Sequence, residues 1–284
     1  KAGDGNRRMH EGRWKKSAKG CFEVRDKVLG IVGFGHIGQQ VGIIAEALGL
    51  RVIFFDLRPQ LPLGNTRQVE SLDKLFAEAD FVSLHVPATP SGQPLVGRNE
   101  LGKMKKGAYL INTSRGTLID FSALRDSIES GHLGGAAIDV YPGEPKSNDE
   151  PFDCGLTGLA NVILTPHLGG STEEAQYKIG EEVAATFVRF IDEGATVGAV
   201  NFPQVSLPMD DNSHRILNVH KNVPGALKEI NNVISSLGAN INGQYLGTYK
   251  NIGYMIMDVS KEVSEEVREQ ISALGINIRT RILF

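Results

Sequence analysis

The sequence predicts an α/β protein with two different sheets: a doubly wound parallel sheet in the first part of the chain and a smaller βαββαβ unit at its end. Short apolar runs alternate with helical patterns up to about residue 170, which is typical of parallel strands buried on both faces. A glycine turn, Gly33-x-Gly35-x-x-Gly38, joins the first apolar run to the first amphipathic pattern. After a polar linker at 205–212, the order strand, helix, strand, strand, helix, strand predicts a ferredoxin-like fold.

The parallel sheet is predicted element by element from its apolar runs. Val28–Val32 is the first strand, and apolar residues then recur at helical spacing as far as Leu48, with Gly49 where a helix C-cap belongs. Arg51–Phe55 is the second strand and ends at Asp56. Further buried strands are predicted at 81–85, 108–113, 135–140 and 162–165, with helices between them.

The rest of the chain predicts one long helix and a separate small unit. The long helix covers residues 171–193 and is followed by the linker. In the small unit, one helix opens at Pro224 and Gly225, and a second covers about 261–274. Its strands are predicted at 215–220, 241–246, 254–259 and 276–283.

Composition excludes several classes of function. A net charge of −3 gives no electrostatic case for nucleic acid or an anionic membrane, although residues 1–30 carry nine Lys and Arg against four Asp and Glu. No apolar run approaches the roughly 20 residues of a membrane span. Cys21 and Cys154 share no metal-ligand spacing, so we expect no metal site, no disulfide framework and a reducing compartment, the cytoplasm.

The glycine turn predicts a Rossmann-like dinucleotide site. Gly33, Gly35 and Gly38 permit a tight turn, close approach of backbone to a pyrophosphate, and close packing of helix on strand. Asp56 can accept hydrogen bonds from ribose hydroxyls and would repel a 2′-phosphate, so NAD is favoured over NADP despite the nearby Arg58. A structural turn with a solvated Asp is the alternative. The other residues predicted to line the cofactor are His36, Ile37, His85, Val86, Pro87, Thr113 and Asp139.

Three further motifs predict the chemistry of a 2-hydroxy acid. Arg115 can hold a carboxylate with two parallel hydrogen bonds, and His167 can move the proton of the hydroxyl group. Glu144, between two prolines, can favour the protonated form of the His. All three follow predicted strands, and in open α/β sheets the carboxyl ends of the strands form the ligand-binding edge.

These motifs resemble those of the D-isomer-specific 2-hydroxyacid dehydrogenase family, and the resemblance covers essentially all of the chain. It is carried by Gly-Phe-Gly-His-Ile-Gly at 33–38, Asn-Thr-Ser-Arg-Gly-Thr at 112–117, Ala-Ala-Ile-Asp-Val at 136–140, Pro-Gly-Glu-Pro at 142–145 and Thr-Pro-His-Leu-Gly-Gly-Ser-Thr at 165–172. The resemblance implies that Arg115 binds the substrate carboxylate, that Glu144 and His167 form the acid/base pair, and that Asp56 binds ribose. It also implies D-3-phosphoglycerate as substrate in a homotetramer.

The C-terminal unit is similar to an ACT domain, a module that senses amino acids. The similarity lies in Val-His-Lys-Asn-Val-Pro-Gly at 219–225 and Gly-Ala-Asn-Ile-Asn at 238–242. It implies that His220, Asn222 and Asn240 hold L-serine between the ACT domains of two subunits. A unit kept only for dimerisation is the alternative.

The resemblance also implies a domain organisation. We expect an NAD-binding domain at 1–170, whose residues 1–25 are a lead-in helix and subunit contact, a return helix and remnant of a substrate domain at 171–209, and a regulatory domain at 210–284. The family pattern includes an earlier segment that forms most of the substrate domain and binds the substrate phosphate, so we expect an incomplete chain. Another D-2-hydroxyacid dehydrogenase, acting on glycerate or 2-hydroxyglutarate, and an NAD-sensing regulatory protein remain alternatives.

Overall fold

The computed structural model of the protein describes residues 2–284, so Lys1, the first residue of the predicted lead-in segment, lies outside them. Contacts within the chain divide it into two compact units, which meet in sequence at Thr172 and Glu173. By its contacts the long helix that begins at Glu173 belongs to the C-terminal unit. The three-part division at 170 and 209 remains a prediction.

The N-terminal unit is built on a seven-stranded parallel sheet of order β3-β2-β1-β4-β5-β6-β7. The order reverses between β1 and β4, which makes this pair the topological switch point of a doubly wound sheet. The strands are β1 (Val28–Val32), β2 (Arg51–Phe55), β3 (Arg67–Gln68), β4 (Phe81–Leu84), β5 (Tyr109–Asn112), β6 (Gly135–Ile138) and β7 (Val162–Leu164).

Helices connect these strands and cover the sheet. They are α1 (Ala2–His10), which precedes β1, α2 (His36–Ala47), α3 (Leu72–Glu78), α4 (Arg98–Lys103), α5 (Phe121–Glu129) and a short 3-10 helix at Gly116–Leu118. The helix of the lead-in segment is therefore limited to its first ten residues, and the chain from 11 to 27 carries no regular element.

Alternate residues of the strands supply two apolar clusters, as expected when both faces of a sheet are covered. Val28 and Val32 of β1 contribute to a large cluster with Leu75 and Leu110. Ile31, from the same strand, points into a second cluster in which the rings of Phe34 and Phe54 stack at 3.8 Å. The predicted strands are confirmed, but the prediction that all are buried is wrong for β7, where Ile163 is 63% exposed at the edge of the sheet.

The C-terminal unit contains a long helix and a four-stranded antiparallel sheet of order β11-β8-β10-β9. Its elements follow the predicted βαββαβ order after the helix α6. They are α6 (Glu173–Glu193), β8 (Ser213–Lys221), α7 (Ala226–Ser236), β9 (Ile241–Tyr249), β10 (Ile252–Ser260), α8 (Ser264–Ser272) and β11 (Asn277–Leu283). Both predicted fold classes are thus confirmed.

The two faces of the C-terminal sheet are covered differently. On one face, Ile216, Met255 and Met257 pack against apolar residues of α7 and α8. On the other face, Leu217 and Ile256 pack with residues of the linker that precedes β8. The linker therefore belongs to the core of this unit and is not a free connection.

Candidate active site

The parallel order of the N-terminal strands brings the predicted site residues to one edge of the sheet. The glycine loop follows β1, Asp56 follows β2, His85 follows β4, Arg115 follows β5 and Asp139 follows β6. His167 follows β7 by three residues. Because every strand runs in the same direction, all of these side chains belong to the carboxyl edge.

The glycine loop has the geometry of a phosphate-binding turn. Gly33 has a φ of +90°, and a Cβ there would lie 2.5 Å from the carbonyl oxygen of His85. A Cβ on Gly38 would overlap the carbonyl oxygen of Gly33, whereas one on Gly35 would meet nothing within 4 Å. The first and third glycines are therefore required by packing, and the second leaves open space at the N-terminus of α2, where a pyrophosphate can approach.

Asp56 is held by the backbone on both sides of its carboxylate. Oδ2 accepts from the amide of Phe34 at 2.9 Å, and Oδ1 accepts from the amide of Arg58 at 3.1 Å. An open cleft beside it is lined by Asp56, Gln68 and Glu70, among other residues. This geometry fixes a carboxylate at the end of β2, where the ribose of a dinucleotide is expected.

His85 lies between the glycine loop and a buried hydroxyl group. Its Nε2 is 2.9 Å from Oγ of Ser83, and burial lowers the pKa of the imidazole. The side chain of Val86 lies against Gly33, since a Cβ there would be 2.6 Å from Cγ1 of Val86. The exposed Pro87 follows at the same edge. The backbone of His85 and the side chain of Val86 therefore lie against the glycine loop, while the neutral imidazole of His85 bonds to Ser83.

Arg115 is presented by a loop that a buried amide shapes. Asn112 is fully buried; its Nδ2 donates to the carbonyl of Arg115 at 2.9 Å, and its Oδ1 accepts from the amide of Ser114 at 3.0 Å. The Oγ of Ser114 donates to the carbonyl of Leu84 on the neighbouring strand at 2.6 Å. The backbone of the loop is thus fixed while Arg115 and Thr113 are exposed.

His167 and Glu144 form a hydrogen-bonded pair at the edge. Nδ1 of His167 is 2.9 Å from Oε2 of Glu144, and Oε1 of Glu144 accepts from the amide of Tyr141 at 3.1 Å. The hydrogen bond from His167, followed by that from Tyr141, lowers the pKa of Glu144. Glu144 is therefore an ionised partner for the imidazole at neutral pH.

Packing joins the Arg115 loop to this pair. A Cβ on Gly116 would overlap the backbone of Tyr141, so the residue after Arg115 lies directly against the residue whose amide holds Glu144. The hydroxyl group of Tyr141 donates to the carbonyl of Thr165, 2.9 Å away, in the segment before His167. The three predicted catalytic residues are consequently brought together by a common backbone framework.

Asp139 anchors the segment that carries His167. Its Oδ1 accepts from Oγ1 of Thr165 at 2.6 Å and from the amide of Leu168 at 2.9 Å, and its Oδ2 accepts from the amide of Gly169 at 3.3 Å. Burial opposes ionisation of Asp139, but these hydrogen bonds outweigh it and its pKa is lowered. They also hold His167 at a φ of +53°, a conformation that side chains other than glycine rarely adopt.

Sequence reasoning did not anticipate these supporting roles. The structure gives Asp139 a contact with three donors of the His167 segment, whereas the sequence predicted contact with the cofactor, which stays a prediction. Asn112 and Tyr141 were not predicted as site residues. An amide side chain at the last position of an apolar strand, β5, inside a motif already noted, was the available signal for Asn112.

The predicted effector residues lie in the C-terminal unit, at two ends of its sheet. His220 is 2% exposed and its Nδ1 is 2.8 Å from Oδ1 of Asn218, while burial lowers its pKa. Asn222 follows β8 and its Nδ2 donates to the carbonyl of Lys250 at 3.0 Å. Asn240 precedes β9, and its amide donates to Oγ of Ser260 at 3.2 Å.

Strand pairing shows how far apart these groups are. Lys221 pairs with Ile252 and Ser213 with Ser260, so Asn222 and Asn240 lie beside opposite ends of β8. A nine-residue strand separates its ends by roughly 25 Å. The structure therefore does not bring Asn240 together with His220 and Asn222 within one chain.

Among residues 2–284, no group of three or more His, Cys, Asp and Glu side chains has the arrangement of a metal site. No helix in the described part of the chain has the length and apolar character needed to cross a membrane.

Comparison with known proteins gives the same division into two units. The D-isomer specific 2-hydroxyacid dehydrogenase NAD binding domain matches residues 1–169, and an ACT domain of the type found in the AHAS small subunit matches 216–278. The NAD-binding site expected from the glycine loop is thus confirmed at the level of the domain.

Full-length relatives and solved structures agree with these matches. A D-3-phosphoglycerate dehydrogenase of Dictyostelium discoideum is 47% identical over 284 residues, which are 100% of this chain and 69% of that protein. The enzyme of the same name from Escherichia coli K12 is 47% identical over 283 residues, 99% of this chain and 69% of its own length. An NAD-dependent formate dehydrogenase from Staphylococcus aureus, solved with NAD, is 32% identical with a TM-score of 0.60, over 67% of this chain and 57% of that one. The chain belongs to the family of D-isomer specific 2-hydroxyacid dehydrogenases.

Proposed function

We propose that the protein is an NAD-dependent dehydrogenase that oxidises D-3-phosphoglycerate to 3-phosphohydroxypyruvate, the first step of L-serine biosynthesis. The observation that carries the chemistry is the Glu144–His167 pair, which lies on the same sheet edge as the glycine loop and the Arg115 loop. The substrate is supported by 47% identity to the two D-3-phosphoglycerate dehydrogenases over essentially the whole chain.

His167 is the acid/base in this proposal. Because Nδ1 faces the carboxylate of Glu144, the proton on that side donates to Oε2 and leaves Nε2 as the basic nitrogen. In the oxidation direction Nε2 takes the proton of the C2 hydroxyl group, and in reduction the imidazolium returns it. Glu144, ionised at neutral pH, stabilises the imidazolium that forms.

Arg115 is the proposed anchor for the substrate carboxylate. Its Nη1 donates to the carbonyl of Ser114 at 2.6 Å, and no Asp or Glu among residues 2–284 forms an ion pair with it. A planar guanidinium left without an acidic partner can bind a carboxylate with two parallel hydrogen bonds. Such an anchor would set the orientation of the C2 carbon.

The glycine loop and Asp56 are the proposed contacts for NAD. The open space at Gly35 and the carboxylate at the end of β2 fit a pyrophosphate and a ribose without a 2′-phosphate. When bound, NAD accepts the hydride that leaves C2 of the substrate. His36, Ile37 and the segment from His85 to Pro87 are the proposed further contacts.

The ACT domain supports an effector role for the C-terminal unit, and we assign L-serine as the effector. His220 and Asn222 lie at one end of β8 and Asn240 at the other, which supports a site shared between two copies of the chain. The proposed assembly is a homo-oligomer, a tetramer. Its proposed location is the cytoplasm, since both cysteines are free.

The test is the rate of NADH appearance from NAD and D-3-phosphoglycerate, with NAD affinity measured beside it. We expect His167→Ala to lower kcat by about 10²- to 10⁴-fold with NAD affinity unchanged, because the proton acceptor is lost while the cofactor contacts remain. His10→Ala, an exposed His on α1, is the control and should leave both quantities unchanged.

Three outcomes would contradict this proposal. Full turnover in His167→Ala would remove the assigned mechanism. Turnover of D-glycerate or 2-hydroxyglutarate in place of D-3-phosphoglycerate would change the substrate. NAD binding without turnover of any of these acids would favour the cofactor-sensing regulator.

A further inference from the structure

A continuous line of side-chain hydrogen bonds leads from the linker to Asn240 in the C-terminal unit. Oγ of Ser213 donates to Oδ2 of Asp210 at 2.6 Å, and Nδ2 of Asn242 donates to the same Oγ at 2.6 Å. Nδ2 of Asn240 then donates to Oδ1 of Asn242, again at 2.6 Å. We call Asp210, Ser213, Asn242 and Asn240 the Asp210 relay.

The carboxylate of Asp210 fixes the direction of every bond in the relay. An ionised carboxylate can only accept hydrogen bonds, and the hydrogen bond from Ser213, followed by one from the amide of Asn212, lowers the pKa of Asp210. Ser213 must therefore give its only proton to Asp210, and its oxygen must accept the bond from Asn242.

The hydrogen bonds also determine the orientation of the side-chain amides of Asn242 and Asn240. Asn242 turns its NH₂ group toward Ser213, and a second contact of that group reaches Oδ2 of Asp210 at 3.4 Å. Its oxygen Oδ1 therefore faces Asn240, and Asn240 donates to it through Nδ2. The orientation of an Asn amide follows from its hydrogen-bond network, so the outward-facing atom of Asn240 is the carbonyl oxygen Oδ1.

The backbone of Asn240 is held as well, while the tip of its side chain is left open. Its amide donates to Oγ of Ser260 at 3.2 Å, and its carbonyl accepts from the amide of Ser260 at 3.3 Å. Asn240 is exposed, and Oδ1 accepts no hydrogen bond from the described part of the chain. A fixed, unused acceptor on an exposed residue is available to a ligand that donates.

We propose that the Asp210 relay orients Asn240 so that it binds the ammonium group of a free amino acid through Oδ1. The proposal rests on the effector role of the C-terminal unit and adds Asp210, Ser213 and Asn242 as positioning residues. An ammonium group can only donate hydrogen bonds, so it can bind the unused acceptor Oδ1 of Asn240. Because Asp210 lies in the linker before β8, the relay also joins the effector site to the linker.

The experiment compares two ligands that differ only at the ammonium group. L-serine and 3-hydroxypropanoate, which carries hydrogen in place of the ammonium group, are titrated calorimetrically into the wild-type protein and into Asp210→Asn and Asn242→Ala. We expect each variant to bind L-serine roughly tenfold more weakly, the effect of about one hydrogen bond to a charged group. Binding of 3-hydroxypropanoate should not change, and uninhibited turnover and NAD affinity should stay as they are.

Asp211→Asn is the matched control, because it removes the same charge one residue away from the relay. Asp211 is exposed; its backbone carbonyl accepts from Nζ of Lys261, and its carboxylate forms no ion pair within residues 2–284. A loss of affinity in Asp211→Asn equal to that in Asp210→Asn would overturn the relay in favour of a general charge effect.

The remaining outcomes separate this proposal from the effector role itself. If the variants bind L-serine as tightly as the wild type, or lose both ligands equally, the relay is overturned and the effector role stands. If the wild-type protein binds no L-serine, the effector role is overturned and the assigned ligand with it.

Discussion

The N-terminal unit gathers its functional side chains in one place, whereas the C-terminal unit keeps them apart. In the parallel sheet, six strand ends meet at one edge, so Arg115, Asp139 and His167 become neighbours although more than 50 residues of sequence separate the first from the last. In the antiparallel sheet, β8 and β9 place Asn222 and Asn240 at opposite ends. Topology therefore brings the proposed catalytic residues together within one chain, whereas the proposed effector residues of one chain lie at opposite ends of β8 and would need a second copy to meet.

The two units also hold their polar groups by different means. At the edge that carries the candidate active site, carboxylates accept bonds mainly from backbone amides, as Glu144 does from Tyr141 and Asp139 from Leu168. In the C-terminal unit, side chains bind one another: Arg215 and Asp258 form a buried pair with bonds of 2.7 and 2.8 Å. A single polar substitution should therefore lower the free energy of unfolding more in the C-terminal unit than in the N-terminal unit.

The largest effect is expected for Arg215→Ala. Arg215 and Asp258 are 2% and 4% exposed, and Arg215 also donates to the carbonyls of Leu207 and Pro208. Its removal leaves a buried carboxylate without a partner, so we expect a loss of about 3–5 kcal/mol in the free energy of unfolding. Urea unfolding measures it, with the exposed Arg279→Ala as control.

NAD affinity distinguishes a local effect of Arg215→Ala from a global one. All predicted cofactor residues lie in the N-terminal unit, so binding of NAD should survive the substitution. Loss of NAD binding together with unfolding of the C-terminal unit would show that the stabilities of the two units are coupled.

A smaller effect is expected for Gly116→Ala in the N-terminal unit. The added Cβ would overlap the backbone of Tyr141, which must move and carry Glu144 with it. Overpacking of this kind costs about 1–3 kcal/mol of stability, and kcat should fall because the Arg115 loop and the Glu144–His167 pair shift together.

The control for this substitution is Gly143→Ala, in the loop before Glu144. A Cβ there would meet nothing within 4 Å, and Gly143 does not have a positive φ. Equal losses of stability and kcat in the two variants would show that the contact with Tyr141 does not matter.

The sequence predicted the elements that have a repeating pattern of apolar residues. It did not predict features that depend on one contact between residues distant in sequence. Apolar runs of four or five residues were enough to predict β1, β2 and β4. β3 is only two polar residues long, Arg67 and Gln68, and no pattern can be detected over that length.

The same limit applies to the sites. The motif residues Arg115, Glu144 and His167 were identified because chemistry restricts the residue types, whereas their supports depend on backbone geometry. The partner of Arg215 is 43 residues away in sequence, and nothing in the local sequence of either residue indicates the pair.

The pH dependence of the Glu144 contribution should give an effect of about one order of magnitude. We expect Glu144→Gln to lower kcat about tenfold at neutral pH, since the amide cannot stabilise the imidazolium as a carboxylate does. The pKa of Glu144 is lowered, so its contribution is present above the ordinary value of 4.5 and is lost only as the pH falls through a lower value.

The measurement is the ionisation of the Glu144 carboxyl group, followed by ¹³C NMR of the wild-type protein as the pH is lowered from neutrality, with Glu144→Gln used to assign the signal. The carboxyl group should stay ionised until the pH is below 4.5. A transition above this value would mean that the hydrogen bonds from His167 and Tyr141 do not hold the carboxylate in its ionised form.

The smallest effect, and the sharpest test of the comparison, is expected from mixing two defective chains. Asn222→Ala and Asn240→Ala each remove one end of the proposed effector site, so neither homo-oligomer should bind L-serine. In a two-fold interface each copy supplies both ends, and a mixed pair of chains contains one intact site and one doubly defective site. After equal mixing and reassembly, about a quarter of the wild-type number of sites should return.

If no L-serine binding is recovered, each chain supplies all of its own contacts, and the opposite ends of β8 then do not belong to one effector site. Recovery with Asn222→Ala and a His220→Ala partner would also contradict the division, because both residues lie at the same end of β8 and cannot complement each other.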